Sequence, residues 1–150
     1  MEIRIASLIE GARNAEGTVI VLDIFRAFTT APIAIKRGAN KIILVAEVKE
    51  ALSLKKEGVG DICIGEVGGQ KPSGFDYGNS PFEISTADIN GKTLIQSTRA
   101  GTVGVNAVRK ANQIYIGSLV TAQATVNAIL STSPTLVTIV AMGVEGKERS

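Results

Sequence analysis

The sequence contains no histidine and no tryptophan, only one cysteine, and few aromatic residues (4%). Each scarcity closes a class of chemistry. Without histidine, a Ser-His-Asp triad, a histidine phosphatase and a histidine-ligated zinc site are all excluded from this chain alone. With Cys63 as the lone cysteine, an intrachain disulfide and a cysteine-rich metal site are excluded as well. Cys63 itself reads as a small core residue. No apolar run approaches the roughly 20 residues of a membrane span, so no membrane partner is expected. Glu2, Arg4, Glu10 and Arg13 crowd the N-terminal stretch too closely for a signal peptide. Sixteen Lys and Arg against 14 Asp and Glu leave a net charge of only +2. That balance lacks the concentrated basic surface of a polyanion binder and argues against nucleic acid. The expectation is a cytoplasmic chain of 150 residues forming one domain over its whole length.

What remains defines the chemistry. Polar work falls to carboxylates, Arg, Lys, Ser, Thr, Asn and backbone amides. Such hard oxygen donors suit Mg²⁺ rather than zinc or copper. Sixteen glycines, many beside polar residues, allow backbone to approach a ligand closely.

Strand and helix patterns alternate along the chain. Short apolar runs at 18–23, 41–45, 61–64, 93–97, 113–116 and 136–142 read as strands. Helices are expected at 31–37, 47–57, 102–110 and 119–130. Pro32 is harmless only in a first turn, so the first of these helices is expected to start near Thr29 or Thr30. Residues 23–29 then form a loop, and residues 65–83 a long one of the kind that is usually functional. Strands alternating with helices predict an α/β fold with a largely parallel sheet. The strand at 136–142 is the most buried in character, yet the chain ends soon after it. The expectation is that the natural protein is longer, and that this surface is otherwise covered by assembly into a homo-oligomer.

The polar residues follow the strands. Asp23 and Arg26 follow the first, Glu66, Gly68 and Gly69 the third, and Ser97 through Thr102 the fourth. Gly117 and Ser118 follow the fifth, and Gly143, Glu145 and Gly146 the last. In a parallel sheet these positions share the carboxyl edge, where ligands bind. Each residue also has a plainer reading. Asp23 is either a local cap or a metal ligand or catalytic carboxylate. Arg26 and Arg99 are either solvated charges or an anion clamp. The segment from Ser97 to Thr102 either caps a helix or presents free amides to an anion. Residues 78–81 are either an Asx turn or part of a site. Glu66, Asp76, Glu83 and Glu145 are individually weak signals.

Spacing rejects the common phosphate machines. A phosphate-cradling P-loop ahead of Gly91-Lys92-Thr93 would need glycine where Thr86 stands. A Cys-x5-Arg phosphatase would need arginine where Gly69 stands, and an Asp-x-Asp nucleophile would need aspartate where Phe25 stands.

Taken together, VLDIFRAFTT (21–30), GEVGG (65–69), GFDYGNSPFE (74–83), GKTLIQSTRAGT (91–102), IGS (116–118) and AMGVEG (141–146) resemble the 2-phosphosulfolactate phosphatase (ComB) family. The likeness runs from about residue 17 to 146. It implies a three-layer α/β/α sandwich and a Mg²⁺-dependent hydrolysis of a small anionic phosphoester. The family's named substrate is 2-phospho-3-sulfolactate, in coenzyme M biosynthesis. Asp23, Arg26 and Asp76, carried over by position, and Arg99, read from its place before a helix, are the candidate catalytic residues. Thr29, Thr30, Gly68, Gly69, Asn79, Ser80, Thr98, Gly101 and Thr102 are expected to bind substrate. Asp23, Glu66 and Glu145 are expected to hold Mg²⁺. The amides of Gly101 and Thr102 would cradle phosphoryl oxygens, and Asp76 would orient water or act as nucleophile. Two positions depart from the family pattern: Val67 stands where a basic residue is frequent, and Ala100 where asparagine is. A catalytically impaired domain that binds small anions is therefore the alternative expectation.

Overall fold

The structure is a computed structural model that describes residues 1–144 and Lys147. Among the described residues seven strands and six helices succeed one another. They are β1 (Glu2–Ser7), α1 (Leu8–Asn14), β2 (Glu16–Leu22), α2 (Ala27–Lys36), β3 (Lys41–Val45), α3 (Val48–Lys56), β4 (Ile62–Gly65) and α4 (Pro81–Thr86). They continue with β5 (Thr93–Ser97), α5 (Gly101–Ala107), β6 (Lys110–Gly117), a 3₁₀ turn (Leu119–Thr121), α6 (Ala122–Thr132) and β7 (Leu136–Ala141).

Every strand pairing is parallel. The strands form two sheets, a four-stranded one in the order β1-β7-β2-β6 and a three-stranded one in the order β3-β5-β4. Helices pack on both faces of the small sheet, in keeping with the expected α/β sandwich. Adjacent strand residues point to opposite faces, and the cores of the small sheet show it. Ile64 and Leu94 pack with Ala34 of α2 and Ile84 of α4. Their neighbours Cys63 and Ile95 pack with Ala51 of α3. In the large sheet, Val19, Val21 and Val140 pack with Ala12 of α1 and the partly buried Val105 of α5. Helix α2 spans the junction: Ala27 and Phe28 belong to the core of the large sheet and Ala34 to that of the small one. Among the described residues no helix is long and apolar enough to cross a membrane.

Three sequence expectations are corrected. Helix α2 begins at Ala27, not near Thr29 or Thr30, and takes Pro32 into its interior. An interior proline costs about 3 kcal/mol. Complete burial of Phe28 alone returns about 1.5–3 kcal/mol, and Ala27, Thr30 and Ala31 are buried with it. Asp23 also acts as a cap from four residues upstream, its Oδ1 accepting the Ala27 amide at 3.3 Å. The segment expected as one loop to residue 83 ends in helix α4, with Pro81 at its first position and Ser80 capping it. Finally, residues 2–7, where no strand was expected, form β1, which pairs with the strand at 136–141. That strand lies between β2 and β1, the latter concealed from a pattern reading by the N-terminal charges.

Candidate active site

Parallel pairing places the carboxyl ends of β2, β4, β5 and β7 on one side. Asp23, Arg26, Glu66, Asn79 and Arg99 line a common cavity there of about 160 Å³, completed by Phe25, Gly69, Ala100, Gly143 and Val144. The volume falls below the roughly 300–1,000 Å³ of sites for drug-sized ligands, and suits a small one.

Three loops are stitched together by carboxylates. Glu66 Oε1 accepts the Arg99 amide at 2.9 Å, and its Oε2 accepts the Gly69 amide at 2.8 Å. The Glu66 amide itself donates to Ser97 O at 3.1 Å. Asp23 Oδ2 accepts the Gly101 amide at 2.8 Å, across the two sheets. Only glycine fits at 101, because a Cβ there would lie 2.7 Å from Asp23 Oδ2 and 2.9 Å from Phe28 Cζ. Gly65 is likewise required, since a Cβ would meet Ser97 O at 1.8 Å, and its φ of 149° is open to glycine. Burial raises the affinity of Asp23 for its proton. The hydrogen bonds from Gly101 and Ala27 oppose this, the nearby Glu66 charge adds to it, and the net direction is upward.

The donor set fits a hard divalent cation. Each oxygen of Asp23 and Glu66 accepts one backbone hydrogen bond, and a carboxylate offers about four acceptor positions. Two neighbouring carboxylates whose charges disfavour one another are relieved by a cation between them. Glu145, the third expected ligand, lies outside the described residues.

Among the described residues Arg99 has one ion-pair partner, Glu47, at 3.9 Å, with both side chains well exposed. Such a pair is weak, so the guanidinium is available to a ligand. Arg26 lines the same cavity. Phe25, 78% exposed, forms an apolar part of the rim. Pattern reading did not assign it a role; its signal was its place between Asp23 and Arg26 in a loop.

The structure does not bring the remaining candidates to the cavity wall. Thr29 Oγ1 donates to Ile24 O at 2.8 Å and Thr30 Oγ1 to Arg26 O at 3.0 Å, both closing the start of α2. Thr98 and Thr102 are buried and serve each other: the Thr98 amide donates to Thr102 Oγ1 at 2.8 Å, and the Thr102 amide to Thr98 Oγ1 at 3.3 Å. The amides of Gly101 and Thr102, expected to cradle an anion, are thus already engaged by Asp23 and Thr98. Ser80 caps α4 through the Glu83 amide at 3.3 Å. Gly68 sits in a tight turn closed by the Val67–Gln70 bridge. Asp76 is bound to Lys55 Nζ at 2.6 Å and to the Cys63 amide at 2.7 Å, away from the cavity lining.

A family model described as 2-phosphosulpholactate phosphatase matches residues 3–149. The chain belongs to that family. It is 41% identical over 131 residues to a protein of Carboxydothermus hydrogenoformans named "Probable 2-phosphosulfolactate phosphatase", covering 87% of this chain and 54% of that one. A protein of Thermoplasma acidophilum with the same name is 39% identical over 118 residues, covering 79% of this chain and 53% of that one. A third, from Thermotoga maritima, is 37% identical over 130 residues, covering 87% and 55%. The chain therefore spans about half the length of the curated relatives it matches. Within the family frame, Ala100 adds no polar side-chain atom to the cavity wall.

Proposed function

We propose that this chain carries the site of a Mg²⁺-dependent phosphatase, a phosphoric monoester hydrolase acting on a small anionic phosphoester such as 2-phospho-3-sulfolactate and releasing sulfolactate and phosphate. The observation that carries the reading is the meeting of two carboxylates, Asp23 and Glu66, with two guanidinium groups, Arg26 and Arg99, in one small cavity. The names of the relatives support the same reaction class.

Asp23 and Glu66 would hold the cation, with Glu145 as a further proposed ligand. When bound, Mg²⁺ neutralises charge on the phosphoryl oxygens, the chief requirement of phosphoryl transfer. The protein's own part is positioning. Arg26 and Arg99 present planar donor forks that match phosphoryl, carboxylate and sulfonate oxygens. Backbone bonds to both carboxylates fix their orientation before a ligand arrives, so little reorganisation accompanies reaction. Water oxygen bonds to phosphorus, the ester P–O bond breaks, and the proton lost by water leaves with the sulfolactate alkoxide.

A second reading is a family domain that binds small anions without turnover, favoured by the apolar Ala100 in the wall and by the apolar Val67 next to Glu66 in sequence. Phosphate release from a panel of small phosphomonoesters, with and without added Mg²⁺, separates the two. Mg²⁺-dependent release that Asp23→Asn abolishes is the expected result. Binding of phosphate or sulfolactate without release establishes the second reading. A chain that does neither retires both.

A further inference from the structure

We propose that Asn79 gives its side-chain carbonyl oxygen to the divalent cation as a third protein ligand, beside Asp23 and Glu66, instead of contacting the anionic substrate. This rests on the cation-dependent reading above.

Asn79 is only 6% exposed, and its Oδ1 is buried without a hydrogen-bond partner among the described residues. It lines the same cavity as Asp23 and Glu66. Buried polar atoms are nearly always paired, and one left unpaired calls for a specific explanation. Gln96 Oε1 is the other such atom among the described residues, and it does not line the cavity.

The chemistry of the atom selects its occupant. A carbonyl oxygen only accepts. Phosphoryl, sulfonate and carboxylate oxygens are acceptors too, so they leave Oδ1 as unsatisfied as before. A hard cation satisfies it directly, as asparagine carbonyls do in oxygen-ligand sites. The inventory of acids points the same way. Among the described residues no group of three His, Cys, Asp or Glu side chains is placed to hold an ion. A third protein contact from the described residues would have to come from a neutral oxygen, and Asn79 Oδ1 is the unpaired one in the cavity.

The local structure holds Asn79 in place for that role. On one side, the Gly78 amide donates to Glu83 Oε2 at 3.0 Å. On the other, Ser80 Oγ accepts the Glu83 amide at 3.3 Å, and Pro81 opens α4. Glu83 thus ties down the residues on both sides of Asn79, its side chain holding Gly78 and its amide holding Ser80. A ligand held this way loses little freedom on binding.

Mn²⁺ is the probe, titrated into the purified chain and followed by electron paramagnetic resonance. Asn79→Ala should weaken Mn²⁺ binding about ten- to hundredfold, the scale of losses already seen for outer partners of metal ligands. Asn79→Asp, which keeps an oxygen in the position, should bind Mn²⁺ at least as tightly as the parent. Circular dichroism and thermal unfolding of the same samples report on folding. If Asn79→Ala fails to fold, Asn79→Asp decides alone, and weaker Mn²⁺ binding there overturns the proposal. Parental Mn²⁺ affinity in Asn79→Ala, with Asp23→Asn still impaired, overturns the role of Asn79 and leaves the cation reading standing. A parent chain that binds no Mn²⁺ overturns both.

Discussion

Asp23 and Gly101 are joined by a 2.8 Å hydrogen bond although 78 residues separate them. The bond ties the end of β2, in the large sheet, to the start of α5, which follows the central strand of the small sheet. The cavity lies over this junction. Both its shape and the orientation of its central carboxylate depend on the absence of a side chain at 101.

Gly101→Ala should therefore harm two properties at once. The new methyl would press on Asp23 Oδ2 and Phe28 Cζ, and overpacking of this kind costs about 1–3 kcal/mol. Thermal unfolding should show the loss, and phosphate release should fall further than stability alone explains, because Asp23 must turn away. A variant with parental melting and parental turnover would show that this contact does not govern the site.

The carboxyl of Asp23 should titrate above the usual carboxylate value of about 3.9. Burial is the largest cause and the Glu66 charge adds to it, against the amides of Gly101 and Ala27. The sign for stability follows from proton binding. The folded chain holds this proton more tightly than the unfolded chain does. Asp23 thus subtracts from stability as pH climbs from its ordinary value through the raised one, and the whole cost is present above both. Carbon-13 NMR of the side-chain carboxyl in metal-free protein measures the value, and Glu66→Gln should move it down. An Asp23 signal titrating below 3.9 would contradict the assignment of burial as the dominant effect.

Arg99→Ala should raise KM for an anionic phosphoester with a smaller change in kcat. A charge-assisted hydrogen bond is worth about 1.5–3 kcal/mol, or about ten- to hundredfold in KM. Loss of the exposed Glu47 pair contributes little, since such pairs are worth about 1 kcal/mol at most. Steady-state kinetics against phosphoester concentration provides the check, and an unchanged KM would make Arg99 a plain surface charge.

Asp76→Asn should act on stability and spare turnover. Burial alone would raise the Asp76 proton affinity. The hydrogen bond and charge of Lys55, with the Cys63 amide, outweigh it and hold the group below its ordinary value. A carboxylate held low contributes stability that is present above the unfolded value near 3.9 and is lost as pH falls through the folded one. With about a third of each side chain exposed, solvent screening limits the pair to about 1 kcal/mol. For a chain of this size that is about 2–4 °C in Tm. Melting curves from pH 7 down to pH 3 should show the variant and parent converge at the acid end. Loss of turnover at full stability would instead restore Asp76 to the reaction.

The sequence alone determined the fold class and pointed to part of the cavity lining. Strand patterns such as 41–45 and 93–97 appear in the structure at the same boundaries, because a short β-branched run between polar turns has few other ways to bury itself. The carboxyl-edge rule was enough to group Asp23, Glu66 and Arg99, since it depends only on strand direction. Tertiary structure decided which atoms remain available there. Partners far apart in sequence took the amide of Gly101 and the carboxylate of Asp76, and partners four or five residues away, set by the local turns, took the amide of Thr102 and the hydroxyls of Thr29, Thr30, Thr98 and Thr102. Burial of Phe28 moved the start of α2 past a proline, and the helix cap at Ser80 fixed Asn79 with an oxygen left over. Local patterns record which residue types are adjacent along the chain. Pairing is a competition among groups brought together only by folding, and its outcome is settled in three dimensions.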